Sequence, residues 1–183
     1  QMRAEDGRIL DLGTKGSGTT PFSRTADGRL TLKGAVREIL ATEMLEALGV
    51  TTSQPFSVTA TGEALERHDE PSPTRAAVLV RLSHGHIRIG SFQRLRYMDD
   101  AEGIEVLMRH TARYHFAGRV DATAPIDELA PAFLAAVATN IADTAGAWMA
   151  AGFVHGVLQT DNVIVTAESF DYGPGRSLPQ FDS

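Results

Sequence analysis

The sequence predicts a single α+β domain with two lobes that share a cleft. Strand-like segments are concentrated in the first half of the chain, and two long helical patterns follow in the second half. No internal repeat and no linker-like change of composition divides the chain, and 183 residues are enough to bury one core. We therefore expect a mostly β small lobe with one helix over about residues 1–98 and a mostly helical lobe over about residues 99–183.

The first elements are a strand, a glycine-rich loop and a helix. The turn Asp6-Gly7-Arg8 leads into a short strand around residues 9–14, and three glycines between positions 13 and 18 mark a backbone that turns or approaches another group closely. The clearest helix covers residues 31–48, because apolar residues recur there at steps of three and four and Gly49 provides the stop.

The next elements are strands. A strand is predicted over residues 54–61, and a polar loop with two prolines follows over residues 62–75. Two further strands, 76–82 and 86–92, flank the turn Ser-His-Gly, and their alternation places Arg81 and Arg88 on adjacent strands.

The second half begins with helices. One helix is predicted over residues 101–117, and an alanine-rich helix that Pro125 and Pro131 introduce runs to about residue 151 and ends at Gly152. Residues 163–165 and 169–172 are predicted to pair as a short hairpin, which leaves a polar tail.

Composition narrows the classes of function. The formal net charge of −6 and the pI of about 5.5 argue against a nucleic-acid surface. The chain has no cysteine, which excludes thiol catalysis and thiolate metal sites within it and fits a reducing compartment. No apolar run reaches the roughly 18–20 residues that cross a bilayer, and the first residues lack the apolar segment of a signal peptide. We therefore expect a cytoplasmic protein without a membrane or nucleic-acid partner.

Two pairs of charged residues are candidates for binding phosphate. Lys15 follows a strand and Glu38 lies in the middle of a helix, as in phosphotransferases where such a pair holds phosphate oxygens. Arg81 and Arg88 present planar forks that suit phosphate. The alternatives are that Lys15 and Glu38 are solvated and that the arginines form structural salt bridges. The glycine-rich loop is not a Walker P-loop, since no Gly-Lys-Ser/Thr follows at the required distance.

The segment HGVLQTDN, residues 155–162, is a candidate catalytic loop. Kinase-like enzymes that act on small molecules place an Asp two residues after the His, but Val157 occupies that position here. Asp161 is the only acid of the loop and can accept a proton, while Asn162 and Asp171 offer oxygen ligands to magnesium. A hairpin with polar turns is the alternative. His155 is expected to order the loop by hydrogen bonding rather than to bind a metal.

Four segments together resemble selenoprotein O and its bacterial YdiU relatives. They are KGSGTTPFSRTADGR, VREILATEMLEALGVTT, VLVRLSHGHIRIGSF and GFVHGVLQTDNVIVTAESFDYGP, in the order that the family has them, from about residue 12 to residue 174. Relative to that family we expect the chain to be truncated at both ends, without the upstream glycine-rich nucleotide loop.

The resemblance implies a protein-kinase-like (pseudokinase) fold that transfers AMP from ATP, with Mg²⁺, to Ser, Thr or Tyr hydroxyls of proteins. It implies that Asp161 accepts the proton, that Glu38 is the ion-pair partner of Lys15, and that Asn162 and Asp171 bind the metal. The nucleotide contacts that it implies are Lys15, Asp27, Gly28, Arg81, Arg88 and Asp171. Three alternatives stay open: a nucleotide-binding pseudokinase fragment without catalysis, a kinase-like phosphotransferase, and a truncated remnant that folds but binds nothing.

Overall fold

A computed structural model describes residues 2–5, 7–21, 23 and 25–178. Asp6 of the predicted turn, Phe22 and Arg24 of the glycine-rich segment, and the tail from residue 179 lie outside the described residues. The elements in chain order are β1 (Met2–Arg3), β2 (Ile9–Lys15), β3 (Leu30–Thr31), α1 (Leu32–Ala47), β4 (Gln54–Leu65), β5 (Thr74–Ser83), α2 (Ile89–Tyr97), α3 (Ala101–His115), α4 (Ile126–Ala150), β6 (Phe153–Val154) and β7 (Arg176–Ser177).

The main sheet is antiparallel and is built around β5. This strand pairs with β2, β3 and β4, and β1 extends the sheet beyond β2. Gly13 of β2 lies opposite Arg81 of β5, and Lys15 lies opposite Leu79. Because side chains alternate between the faces of a strand, this register places Lys15 and Arg81 on the same face of the sheet.

Helix α1 confirms the predicted helix and carries one buried acid. Its N-cap is Thr31, whose hydroxyl accepts a hydrogen bond from the backbone N–H of Gly34 at 3.0 Å. The buried residues Ala35, Glu38, Thr42 and Leu45 follow one another at steps of three and four. Glu38 therefore lies on the core face of the helix, and the alternative that it is a solvated acid is wrong.

The predicted strand 86–92 is wrong, because the chain enters helix α2 at Ile89. Arg88, the residue before the helix, is extended, with φ of −82° and ψ of 154°. On either side of it, Val165 N–H donates to the Ile87 carbonyl at 3.0 Å and Ile89 N–H donates to the Val163 carbonyl at 3.1 Å. Ile89 and Phe92, three residues apart, both pack against the helical core. The alternation of Ile87 and Ile89 therefore marks only a short extended link into α2. The prediction missed the helical spacing that begins at Ile89.

The second half follows the predicted helices closely. Helices α3 and α4 match the predictions over 101–117 and 125–151, with Pro131 inside α4 near its start. The predicted hairpin pairs through one bridge, between Val163 and Ser169, and the small sheet of β6 and β7 was not predicted. None of the helices in the described part of the chain has the length and apolar character needed to cross a membrane.

Two apolar clusters hold the elements together. The larger one joins α3 and α4, where the rings of Phe116 and Phe133 meet edge to face with centroids 5.6 Å apart. The smaller one joins Leu45 of α1, Trp148 of α4 and Tyr172 of the loop before β7. The sheet half and the helical half therefore contact each other directly at the loop that carries the candidate site. The division into two lobes near residue 98 stays a prediction.

Candidate nucleotide-binding site

Lys15, Glu38 and Asp171 form a connected group of charges. The Lys15 ammonium donates to Oε1 of Glu38 at 2.7 Å and also forms an ion pair with Oδ1 of Asp171. The backbone N–H of Asp171 donates to the other oxygen of Glu38 at 3.2 Å. Glu38 is only 2% exposed, so this buried carboxylate ties the end of β2 to the loop that carries Asp171. The predicted pair of a strand lysine and a helix glutamate is present.

Asp171 and Asn162 point their polar groups at each other. Nδ2 of Asn162 lies 3.0 Å from Oδ2 of Asp171, and Asp171 has a positive φ of 70°, a backbone conformation that few residues other than glycine adopt. Burial by itself raises the pKa of Asp171, but Lys15 and Arg81 outweigh it, and the pKa lies below its ordinary value. Asp171 is therefore ionised at neutral pH.

This pair of side chains fits a magnesium ion. Mg²⁺ takes one or two protein oxygens and completes its shell with phosphates and water. The amide oxygen and nitrogen of Asn162 exchange places by a simple flip, which turns an oxygen toward Asp171. Among the described residues no group of three or more His, Cys, Asp or Glu side chains is placed to hold a metal. In the described part of the chain, side chains alone therefore do not form a complete metal site.

Arg81 is buried without a full set of partners. The residue is 5% exposed, and neither Nε nor Nη1 has a hydrogen-bond partner among the described residues. Oδ1 of Asp171 lies 3.9 Å from Nη1, which is too long for a hydrogen bond. Burial lowers the pKa of Arg81, and the charges of Asp171 and Glu38 oppose that shift. The alternative of a structural salt bridge therefore holds for this one long ion pair with Asp171, but it leaves Nε and Nη1 without a hydrogen bond, which is costly for a buried guanidinium unless an anion joins it.

Arg88 reaches the same place from a different element than the one predicted. It is the N-cap residue of α2 rather than a strand residue, and its backbone bridges to Ile164. Its guanidinium carbon lies 4.9 Å from the centroid of the Phe170 ring, and that of Arg81 lies 4.0 Å from it. The two arginines thus meet at one aromatic ring, although they are not on adjacent strands.

Asp161 lies against the N-terminus of α2. A Cβ atom added to Gly90 would collide with Oδ1 of Asp161, so this carboxylate would have to move if another residue replaced the glycine. The backbone N–H of Gly90 donates to the Thr160 carbonyl at 2.9 Å, and the Thr160 hydroxyl donates to Oε1 of Gln93 at 2.6 Å. The first turns of α2 therefore fix the loop that presents Asp161.

His155 orders the same loop, as predicted. It is buried, with Nε2 3.2 Å from the Phe170 carbonyl, and its Nδ1 accepts from the Val157 N–H at 3.4 Å. Burial lowers its pKa, so the neutral ring with the proton on Nε2 satisfies both contacts.

Asp27 and Gly28 form a turn that closes the glycine-rich loop. Gly18 N–H donates to the Gly28 carbonyl at 3.0 Å, and the Asp27 carboxylate accepts from Arg29 N–H and from Arg67, each at 2.9 Å. Within the described residues no hydrogen bond or ion pair joins Asp27 to the charges around Lys15. The structure gives this turn a local role, and its predicted contact with nucleotide stays a prediction.

Sequence reasoning missed three residues of the site. Phe170 supports both arginines, Gly90 makes room for Asp161, and Tyr172 is held by the hydroxyl of Thr52 at 2.5 Å. No periodicity or spacing marks Phe170, whereas the glycine in the second position of a helix was a signal that the wrong strand prediction concealed.

Comparison with known proteins shows which class of protein this chain resembles. The protein nucleotidyltransferase YdiU of Synechocystis is 50% identical over 182 residues, which cover 100% of this chain and 38% of that protein. The proteins of the same name from Gloeobacter violaceus and Cereibacter sphaeroides are 50% and 42% identical, and each match covers 100% of this chain and 37% of the relative. The chain thus spans well under half the length of these relatives.

The family model described as protein adenylyltransferase SelO matches residues 1–183. The chain therefore belongs to the SelO family, which confirms the resemblance seen in its motifs.

Proposed function

We propose that this chain forms the nucleotide-binding and catalytic part of a protein adenylyltransferase with a kinase-like fold. It transfers AMP from ATP to a Ser, Thr or Tyr hydroxyl of a protein substrate. The observation that carries the proposal is the buried guanidinium of Arg81, with unpartnered donors, beside the group formed by Lys15, Glu38 and Asp171. The names of the family and of its YdiU members, adenylyltransferase and nucleotidyltransferase, support the same chemistry.

The charges of the site favour a polyphosphate. Three cations, Lys15, Arg81 and Arg88, stand against three carboxylates, Glu38, Asp171 and the proposed base Asp161, so the charges of these side chains balance and the proposed Mg²⁺ would supply the excess positive charge. Burial strengthens the attraction of Arg81 for an anion, because water screens it poorly there. In this proposal the two arginines and Lys15 bind the phosphates of ATP.

A magnesium ion is part of the proposal. Asn162 and Asp171 are the residues that would hold it, as the fit of their oxygens supports. When bound, the ion neutralises phosphate charge and makes the leaving pyrophosphate a weaker base.

Asp161 is the proposed proton acceptor. The substrate hydroxyl oxygen forms a bond to the α-phosphorus while the bond between that phosphorus and the bridging oxygen breaks, and pyrophosphate leaves with the electron pair. The hydroxyl proton passes to the Asp161 carboxylate, which lies against the first turn of α2. Val157, at the position where related kinases have their base, cannot accept it.

The position of the label on ATP tests the proposal. Protein or lysate is incubated with Mg²⁺ and ATP labelled either on the α-phosphate or on the γ-phosphate, and labelled protein is detected after denaturing electrophoresis. We expect label from the α-phosphate only, lost in Asp161→Asn and kept in the control Asp143→Asn, whose carboxylate is exposed on α4. Label from the γ-phosphate only would identify a phosphotransferase instead. Binding of ATP without label from either position would identify a pseudokinase that only binds nucleotide.

A further inference from the structure

The ring of Phe170 lies beneath two positively charged groups. Phe170 is 1% exposed, and the guanidinium carbons of Arg81 and Arg88 lie 4.0 and 4.9 Å from its centroid. Both distances are within the range of about 6 Å over which an aromatic face attracts a cation.

Without the ring, the like charges of the two arginines would favour their separation. The charge of Arg88 acts unfavourably on that of Arg81, and Asp171, the nearest carboxylate to Arg81, is already paired with Lys15. The negative π-electron density of the Phe170 ring attracts both guanidinium groups, which offsets their mutual repulsion.

The backbone of Phe170 holds the ring at a fixed place. Its carbonyl lies 3.2 Å from Nε2 of His155, and its N–H donates to the Asn162 carbonyl at 3.4 Å. The ring is therefore anchored to the same loop that carries Asp161 and Asn162. A cation pair fixed in this way needs little further ordering when an anion binds.

We infer that Phe170 is a positioning residue that holds Arg81 and Arg88 together as one site for a chain of linked phosphates. The inference deepens the proposed function and rests on it only for the identity of the anion, the phosphates of ATP.

Inorganic tripolyphosphate is the probe that tests this inference, because its binding requires no group transfer. Titration calorimetry compares the protein with Phe170→Leu and with the control Phe116→Leu. Phe116 is also 1% exposed and has Arg119 at 5.6 Å from its ring, but it lies in the helical core. We expect Phe170→Leu to weaken tripolyphosphate binding about ten-fold, as the loss of a buried cation–π contact predicts, and Phe116→Leu to leave binding unchanged.

A second measurement separates attraction by the ring from its packing. Phenylalanine analogues with one, two and three ring fluorines at position 170 keep the shape of the side chain and weaken the negative face of the ring stepwise. The dissociation constant of tripolyphosphate should rise with each fluorine, a trend that a purely structural role would not produce. This series also decides the question if Phe170→Leu fails to fold.

Three results would overturn the inference. They are unchanged binding in folded Phe170→Leu, a dissociation constant that does not respond to fluorination, and absence of tripolyphosphate binding by the unaltered protein. If instead binding depends on Phe170 while no AMP is transferred, the proposed function fails and the role of Phe170 stands.

Discussion

The buried carboxylate of Glu38 provides the sharpest test of how the site is held together. Glu38→Gln keeps the size of the side chain and its tendency to form helix, but it removes the charge. In the protein, one carboxylate oxygen accepts from Lys15 at 2.7 Å and the other from the Asp171 N–H at 3.2 Å. A glutamine has one acceptor oxygen, so its NH₂ group must face one of these two donors.

The expected loss of stability follows from these two contacts. A hydrogen bond to a charged group contributes about 1.5–3 kcal/mol, and a buried group left without a partner costs about 1–3 kcal/mol. Lys15 retains Asp171 and is 25% exposed, which lets water replace part of the loss. We therefore expect Glu38→Gln to lower the free energy of unfolding by about 2 kcal/mol, which for a chain of this size is a decrease of about 4–8 °C in melting temperature.

Urea unfolding followed by far-ultraviolet circular dichroism measures this change. The midpoint should fall while the slope m stays the same, since the folded state buries the same surface. Glu43→Gln is the matched control, because Glu43 is exposed on the same helix. If the two variants differ by less than about 0.5 kcal/mol, the range of ordinary surface substitutions, then Glu38 does not hold the site together and our reasoning is refuted.

Three further predictions concern the proposed metal ligand Asp171, the dependence of stability on pH, and the space around Asp161, the proposed base. We expect ATP with Mg²⁺ to raise the melting temperature and Asp171→Ala to abolish this rise, and an undiminished rise would contradict the metal assignment. Burial raises the pKa of Glu168 to about 7. Between its ordinary value of 4.5 and this value, the folded state holds a proton that the unfolded state lacks, so stability should fall as pH rises through that window, by roughly 3 kcal/mol, and level off above it. Glu168→Gln should flatten this dependence in unfolding curves measured from pH 4 to 8, and an equal slope in both proteins would exclude Glu168 as its source. Gly90→Ala should reduce AMP transfer at least ten-fold by displacing Asp161, whereas Gly146→Ala, with open space around it on α4, should keep the activity and gain up to about 1 kcal/mol of stability. Equal activity of the two alanine variants would show that Asp161 tolerates displacement.

Local pattern was sufficient for much of the fold. Apolar residues at steps of three and four placed α1, α3 and α4, and alternation placed β2, β4 and β5 close to their observed bounds. The same method predicted residues 86–92 wrongly, because a short link around the extended Arg88, hydrogen-bonded to residues 163–165, leads directly into α2. Whether so short a segment continues as a strand, with a period of two residues, or as a helix, with a period of about 3.6, depends on long-range contacts that the local pattern does not contain.

The candidate site divides in the same way. The sequence by itself determined the family, the helix that carries Glu38 and the order of the charged residues of the site along the chain. These depend on local periodicity and on motifs. Only the tertiary structure decided that Arg81 is buried with free donors, that Arg88 joins it from a helix terminus, and that both lie on Phe170. Burial and contact between residues far apart in the chain arise when the sheet, α2 and the loop before Asp171 pack together, and no local segment encodes that packing.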